Sequence, residues 1–204
     1  MLTVRNLSRS GLEPTSFELA AGECIALRGP SGSGKTLLLR ALADLDLNEG
    51  EVLLDDTPRS RIPAPRWRRR VGYVAAEPGW WSERLVEHFR DWNSQAGPAR
   101  RLNISPSVAE RRVSQLSTGE RQRLALLRAL EHQPEVLLLD EPTGPLDDES
   151  TAAVEGLLRE KQSNGLALFW VTHDKRQAAR VATRQFWIDR GRLREAVLED
   201  AASR

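Results

Sequence analysis

A chain of 204 residues, 40% of them apolar, is one domain by length with material for a proper core. Its 30 basic and 29 acidic residues leave a formal charge of +1, which gives no electrostatic ground for a nucleic-acid partner or an anionic bilayer. One cysteine, Cys24, excludes an internal disulfide, no charged-then-apolar leader precedes Leu2 and no apolar run approaches the roughly 20 residues of a membrane span, so a reducing cytosol is expected.

In chain order, apolar runs at 2–4 and 16–19 predict strands of an antiparallel flank, joined later by 52–54, with Gly11, Pro14 and Gly50 as turn residues. The denser run 24–27 predicts a buried, mostly parallel strand, with Cys24 as core packing. It leads into GPSGSGKT at 29–36 and a helix over 35–43. Strand, glycine loop and helix in that order are the context of a Walker A phosphate loop. Gly29, Pro30, Ser31, Gly32, Ser33 and Gly34 wrap a triphosphate, Gly32 and Gly34 letting backbone N–H groups turn inward, and the helix start adds its partial positive charge. Lys35 puts a compact charge at the β and γ phosphates, and the Thr36 hydroxyl is placed for Mg²⁺. Only Lys35, Lys161 and Lys175 are lysines, so a lysine inside this loop is a chemical choice against an arginine background.

PRWRRR at 65–70 reads as a solvated approach to the strand 71–74. From 80 to 116 strand signals stop, and a small helical insertion is predicted, with helices over 82–93 and 107–114 and SQAGPARR between them. LSTGE then opens a helix over 119–131. Ser117 and Glu120 have the spacing of a capping box, but Gly119 in a first helical turn costs stability and is useful where something approaches the backbone. The stretch therefore reads as a second anion-binding helix start. VLLLDEP at 136–142 is a buried strand delivering two carboxylates at its end. Asp140 is read as a Mg²⁺ ligand through water, and Glu141 as the group that orients or deprotonates an attacking water. Helices over 149–162 and 175–182 and strands over 166–171 and 185–188 complete the chain, with His173 just past the third of these.

Walker A, LSTGE, a Walker B strand with its extra glutamate, and WVTHD, in this order and spacing, resemble an ATP-binding cassette (ABC) nucleotide-binding subunit over nearly the whole chain. The resemblance implies an α/β fold: a P-loop NTPase (RecA-like) core at about 1–79 and 117–204 with an antiparallel β flank and the insertion at about 80–116, one domain over 1–204. It implies two copies packed head to tail, the Ser117 and Gly119 of each contacting the γ-phosphate held by the other. Asp147, in GPLD, would belong to the loop linking the two sites, and His173 would touch the γ-phosphate and steady the water beside Glu141. ATP and Mg²⁺ are thus expected as ligands, with ATP hydrolysis driving a separate integral-membrane permease. The chain would sit on the cytoplasmic side of the plasma membrane as a homodimer without nucleic acid. Its compact length and its ending soon after WIDRGRLREA resemble small stand-alone bacterial subunits, those of iron-efflux permeases nearest and haem exporters second. Competing readings are a soluble ABC-type ATPase acting on DNA or ribosomes, whose members add coiled coils or a second cassette, and a non-hydrolysing regulatory module.

Several positions depart from the family pattern. Ala76 stands where a glutamine links the metal site to the insertion, so either Glu77 substitutes as a metal-site oxygen or the coupling is altered. SRSGLEPTSF offers Ser10 and Gly11 where an aromatic stacks on adenine, leaving Arg9 to stack or to stay solvated. Thr118 replaces a glycine, and Gly144 and Pro145 precede Leu146 and Asp147. Trp80 and Trp81 read either as an anchor for a permease segment or as packing within the insertion.

Overall fold

The alternation that marks the first strands has a simple cause: each must bury one face. The computed structural model describes residues 1–196; residues 197–204, the tail of the domain expected over 1–204, lie outside them. β1 (Leu2–Arg9) and β2 (Leu12–Leu19) form a hairpin, and β2 alternates buried and exposed residues along most of its length. β4 (Glu49–Leu54) pairs antiparallel with β1, and the short β5 (Thr57–Pro58) closes a four-stranded sheet of order β2-β1-β4-β5. This is the expected antiparallel flank.

The second sheet is mixed and six-stranded. β3 (Cys24–Arg28), β6 (Val71–Val74), β7 (Val136–Asp140), β8 (Ala167–Val171) and β9 (Arg184–Asp189) run parallel, and β10 (Arg192–Ala196) returns antiparallel to β9. Every residue of β7 and β8 is buried, as a strand covered on both faces requires. Alternate residues serve two cores. Leu138 packs with the antiparallel flank and α1 (Lys35–Leu42), whereas Leu137 and Leu139 pack with α4 (Thr118–Glu131) and α5 (Asp148–Ser163) on the opposite face. Each such leucine contributes about 2 kcal/mol of burial. Phe17 and Phe169 bind the two sheets together, their ring centroids 5.3 Å apart.

Strand order β10-β9-β3-β8-β7-β6 makes β3, β8 and β7 neighbours. Leu27 is opposite Val171 and Val171 opposite Asp140, so the carboxyl ends of these strands stand level and their loops open side by side.

One expectation is refined and two change, both of them in the insertion. The arginine-rich stretch is a solvated approach to β6 as expected, with Arg66, Arg68 and Arg69 exposed, but it takes the form of α2 (Ala64–Arg70), anchored by the fully buried Trp67, whose Nε1 donates to the Leu42 carbonyl at 2.9 Å. In the insertion the helix is α3 (Trp92–Arg101), over the stretch read as a connector, with Pro98 inside it. Asp91 starts it by accepting from the Asn93 N–H, and the buried Ala99 and Leu102 join the core of α4, so tertiary packing outweighs the glycine and proline. Residues 82–93 and 107–114 instead form 3-10 turns at Leu85–His88, Pro106–Glu110 and Val113–Gln115. Finally, α6 (Lys175–Val181) follows β8 as expected.

Candidate functional site

β3 delivers the chain to residue 28, and the loop then bends back so that α1 begins at Lys35. Gly32 and Gly34 have φ of 73° and 109°, a region that strains any residue with a Cβ. Gly34 caps α1 with no side-chain acceptor, so the helix's first N–H groups are left for a ligand. Lys35 is 7% exposed and its Nζ donates to the Gly29 and Pro30 carbonyls at 2.9 and 2.8 Å. Burial lowers the pKa of this ammonium, while the charges of Glu141 and Asp140 act to raise it. Ser33 Oγ is buried and without a hydrogen-bond partner among the described residues.

Across from this loop, Asp140 ends β7 with its side chain buried. Thr36 Oγ1 donates to Asp140 Oδ2 at 2.7 Å and the Tyr73 hydroxyl donates to the same oxygen at 3.2 Å. Burial and the Asp140 charge push the Tyr73 phenol well above its usual range, so it stays protonated and a donor. Tyr73 was missed in the sequence, although it is the chain's only tyrosine, set in the otherwise apolar strand β6.

Glu141 has φ of 50°, unusual for a residue with a Cβ, and its N–H donates to the Val171 carbonyl at 3.1 Å. That turn aims its carboxylate at the neighbouring loop, where His173 Nε2 lies 2.5 Å from Glu141 Oε1. Lys35, Thr36, Asp140, Glu141 and His173 are therefore one constellation built from three adjacent strand ends.

Ser117 and Gly119 are not part of it. Ser117 caps α4 by accepting from the Glu120 N–H at 3.1 Å, and Glu120 Oε2 accepts from the Ser117 N–H at 2.8 Å, completing the capping box. A Cβ on Gly119 would lie 3.1 Å from Leu146 Cδ2 and 3.5 Å from the Pro145 carbonyl oxygen, so the close approach inferred for this glycine is made within the chain by that loop. Among the described residues no hydrogen bond or ion pair joins Ser117 or Gly119 to residues 29–36. Asp147 caps α5, accepting from the Ser150 N–H at 2.7 Å.

The departures resolve differently. Arg9 is not simply solvated: its Nη1 is 2.5 Å from Asp46 Oδ2, a carboxylate that also takes two bonds from Arg40 and is held well below the usual range by Arg40 and Arg9. Glu77 is exposed and makes no hydrogen bond or ion pair among the described residues, nor is there among them any metal-competent cluster of three or more His, Cys, Asp or Glu. The segment carrying Ala76 and Glu77 is tied instead to α4, through Gln122 Nε2 donating to the Ala75 carbonyl at 3.2 Å. Trp80 and Trp81 divide: Trp80 packs against the insertion's core with Arg128 stacked on its ring at 4.6 Å, while Trp81 is 69% exposed.

The ABC transporter family model matches residues 12–144. The sulfate/thiosulfate import ATP-binding protein CysA of Caulobacter vibrioides is 38% identical over 90% of this chain, which spans 59% of that protein's length. The phosphate import ATP-binding protein PstB 2 of Natronomonas pharaonis is 36% identical over 91% of this chain and 74% of its own. A dimeric ATP-binding cassette solved in a post-hydrolysis state with ADP and phosphate superposes with a TM-score of 0.77 at 24% identity, covering 96% of this chain and 98% of the other.

Proposed function

The chain belongs to the ABC transporter family, and from that premise we propose that it binds and hydrolyses ATP to drive a separate membrane permease. One observation carries the hydrolytic reading: Glu141 and His173 touch at 2.5 Å beside the phosphate loop, at the ends of β7 and β8. A general base needs a carboxylate held at the reacting phosphate, and a ring nitrogen on that carboxylate fixes its rotamer. In this reading the loop's N–H groups and Lys35 take the triphosphate. Glu141 accepts a proton from water as the water oxygen bonds to the γ-phosphorus and the bond to the bridging oxygen breaks. His173 steadies the same water and the γ-phosphate oxygens.

Thr36 and Asp140 would hold Mg²⁺; their oxygens, already 2.7 Å apart, suit a hard cation. When bound, the ion supplies positive charge against the phosphate oxygens. Glu77 would join them only after the segment of Ala76 and Glu77 shifts toward β7.

The serine-led end of α4 has no bond to its own phosphate loop, which supports the view that it serves the nucleotide of a second copy. Two chains would then close on two ATP molecules and part after hydrolysis. The import ATP-binding proteins that this chain resembles support placing it at the inner face of the plasma membrane, held there by its permease. Both curated relatives are named for import of small oxyanions, and an importer's permease is the partner we propose.

The test is Glu141→Gln in the purified chain. Phosphate release should fall by about 100-fold or more, and on a sizing column the variant should run as a dimer with Mg·ATP and as a monomer without it. A variant that keeps wild-type turnover, or that stays monomeric in Mg·ATP, overturns the reading.

A further inference from the structure

We propose that Gln177 is a positioning residue for hydrolysis, its amide locking the loop that carries Glu141 to the loop that carries His173. This rests on the hydrolytic reading above and extends it to a group whose partners are Thr143, Thr172 and Glu155.

Gln177 lies on α6 and is 4% exposed. Its Oε1 accepts from Thr172 Oγ1 at 2.7 Å, and its Nε2 donates to Thr143 Oγ1 at 2.9 Å and to Glu155 Oε1 at 2.9 Å. Thr172 immediately precedes His173, and Thr143 follows Glu141 by two residues. One side chain thus bridges the two loops whose tips meet.

The amide's direction is fixed by chemistry. The Glu155 carboxylate can only accept, so it must face the NH₂ end, which turns the carbonyl end to Thr172. Glu155 is itself held by Arg180, with Nε donating to Oε2 at 2.7 Å and Nη2 to Oε1 at 2.6 Å. Thr172 Oγ1 in turn accepts from the Asp174 N–H at 3.1 Å, so its hydroxyl proton has one direction left, toward Gln177. A leucine of similar size would leave Thr143, Thr172 and Glu155 each short of a partner. A glutamate would set one carboxylate against another.

Such a tie is needed at this place. The β7–β8 ladder reaches Asp140 opposite Val171, and one further backbone bond joins the Glu141 N–H to the Val171 carbonyl. Beyond it no backbone hydrogen bond joins the two loops among the described residues, while the left-handed φ of Glu141 requires surroundings that hold it. Gln177 supplies the cross-link on the far side of the two catalytic side chains.

The experiment compares Gln177→Leu, the paired Thr143→Val and Thr172→Val variants, and Thr143→Ser and Thr172→Ser, which keep the hydroxyls. Steady-state phosphate release, binding of a fluorescent ATP analogue and melting temperature are measured on the full chain. Gln177→Leu should lower kcat by about 10- to 100-fold, the scale of a sub-ångström to ångström misplacement, with KM and analogue affinity within about twofold. The serine variants should keep wild-type kcat, and adding Thr143→Val to Gln177→Leu should cost no more, since the bridge is already gone. If Gln177→Leu does not fold, the two valine variants must show the same loss in kcat alone. Unchanged kcat in a folded Gln177→Leu, or equal losses in kcat and affinity, overturns the inference. A wild type that binds the analogue and releases no phosphate overturns the hydrolytic reading instead.

Discussion

Lys35 donates to two carbonyls of its own loop, so the lysine and the glycine loop hold each other in place around the proposed phosphate site. Glu141 bears a cost, a backbone in a sparsely populated region that destabilises the fold by about 1 kcal/mol or more and aims the carboxylate. Both residue types were legible in the sequence, because a glycine-loop lysine and a second carboxylate after a buried strand have few other uses. The φ of Glu141 was not, since it follows from the contact with β8. Cys24 shows the same division. Burial, with help from Glu23, pushes its thiol up to about 12. The native chain should therefore resist a disulfide reagent at pH 8 and react with one equivalent on unfolding; fast stoichiometric labelling of the native chain would show that β3 is not the core strand described.

At the scale of elements, α5 and α6 are joined by the Glu155–Arg180 pair. Burial works to raise the Glu155 pKa, but the bonds from Arg180 and Gln177 prevail and hold it below the usual carboxylate range. A carboxyl depressed on folding adds stability above its unfolded value, near pH 4.3, and loses it as pH falls toward the native one. Thermal melts should show Glu155→Gln less stable at pH 7 by about 2 kcal/mol, with the gap to wild type narrowing between roughly pH 5 and 3. A gap independent of pH would mean that packing, not ionisation, carries the effect. The helical insertion was the least legible element. Its composition is helix-compatible throughout, so which stretch coils was decided by the Asp91 cap and the packing of Ala99 and Leu102, neither of which has a local periodic signature.

For the whole molecule, the decisive fact is that among the described residues no hydrogen bond or ion pair joins the start of α4 to the phosphate loop. If each ATP is held by Lys35 of one copy and Ser117 of the next, Lys35→Ala and Ser117→Arg should each be inactive alone. A mixture of the two should regain turnover, because a mixed pair has one site with both lesions and one with none. A mixture as inactive as its components would show that each chain works by itself.

Short stretches of the chain specify the candidate chemistry. Loop, carboxylate pair, capping box and histidine are short-range patterns, each fixed by the backbone geometry or charge its residues need, and their order carried the family. Tertiary structure decided what these patterns do to one another. It gave Gly119 a neighbour in Leu146, paired Arg9 with Asp46, added Tyr73 to Asp140, set Glu141 against His173, and joined Thr143 to Thr172 through Gln177. Those contacts join residues from separate stretches of the chain, and their partners are chosen by which strands lie side by side, a choice that no local pattern records.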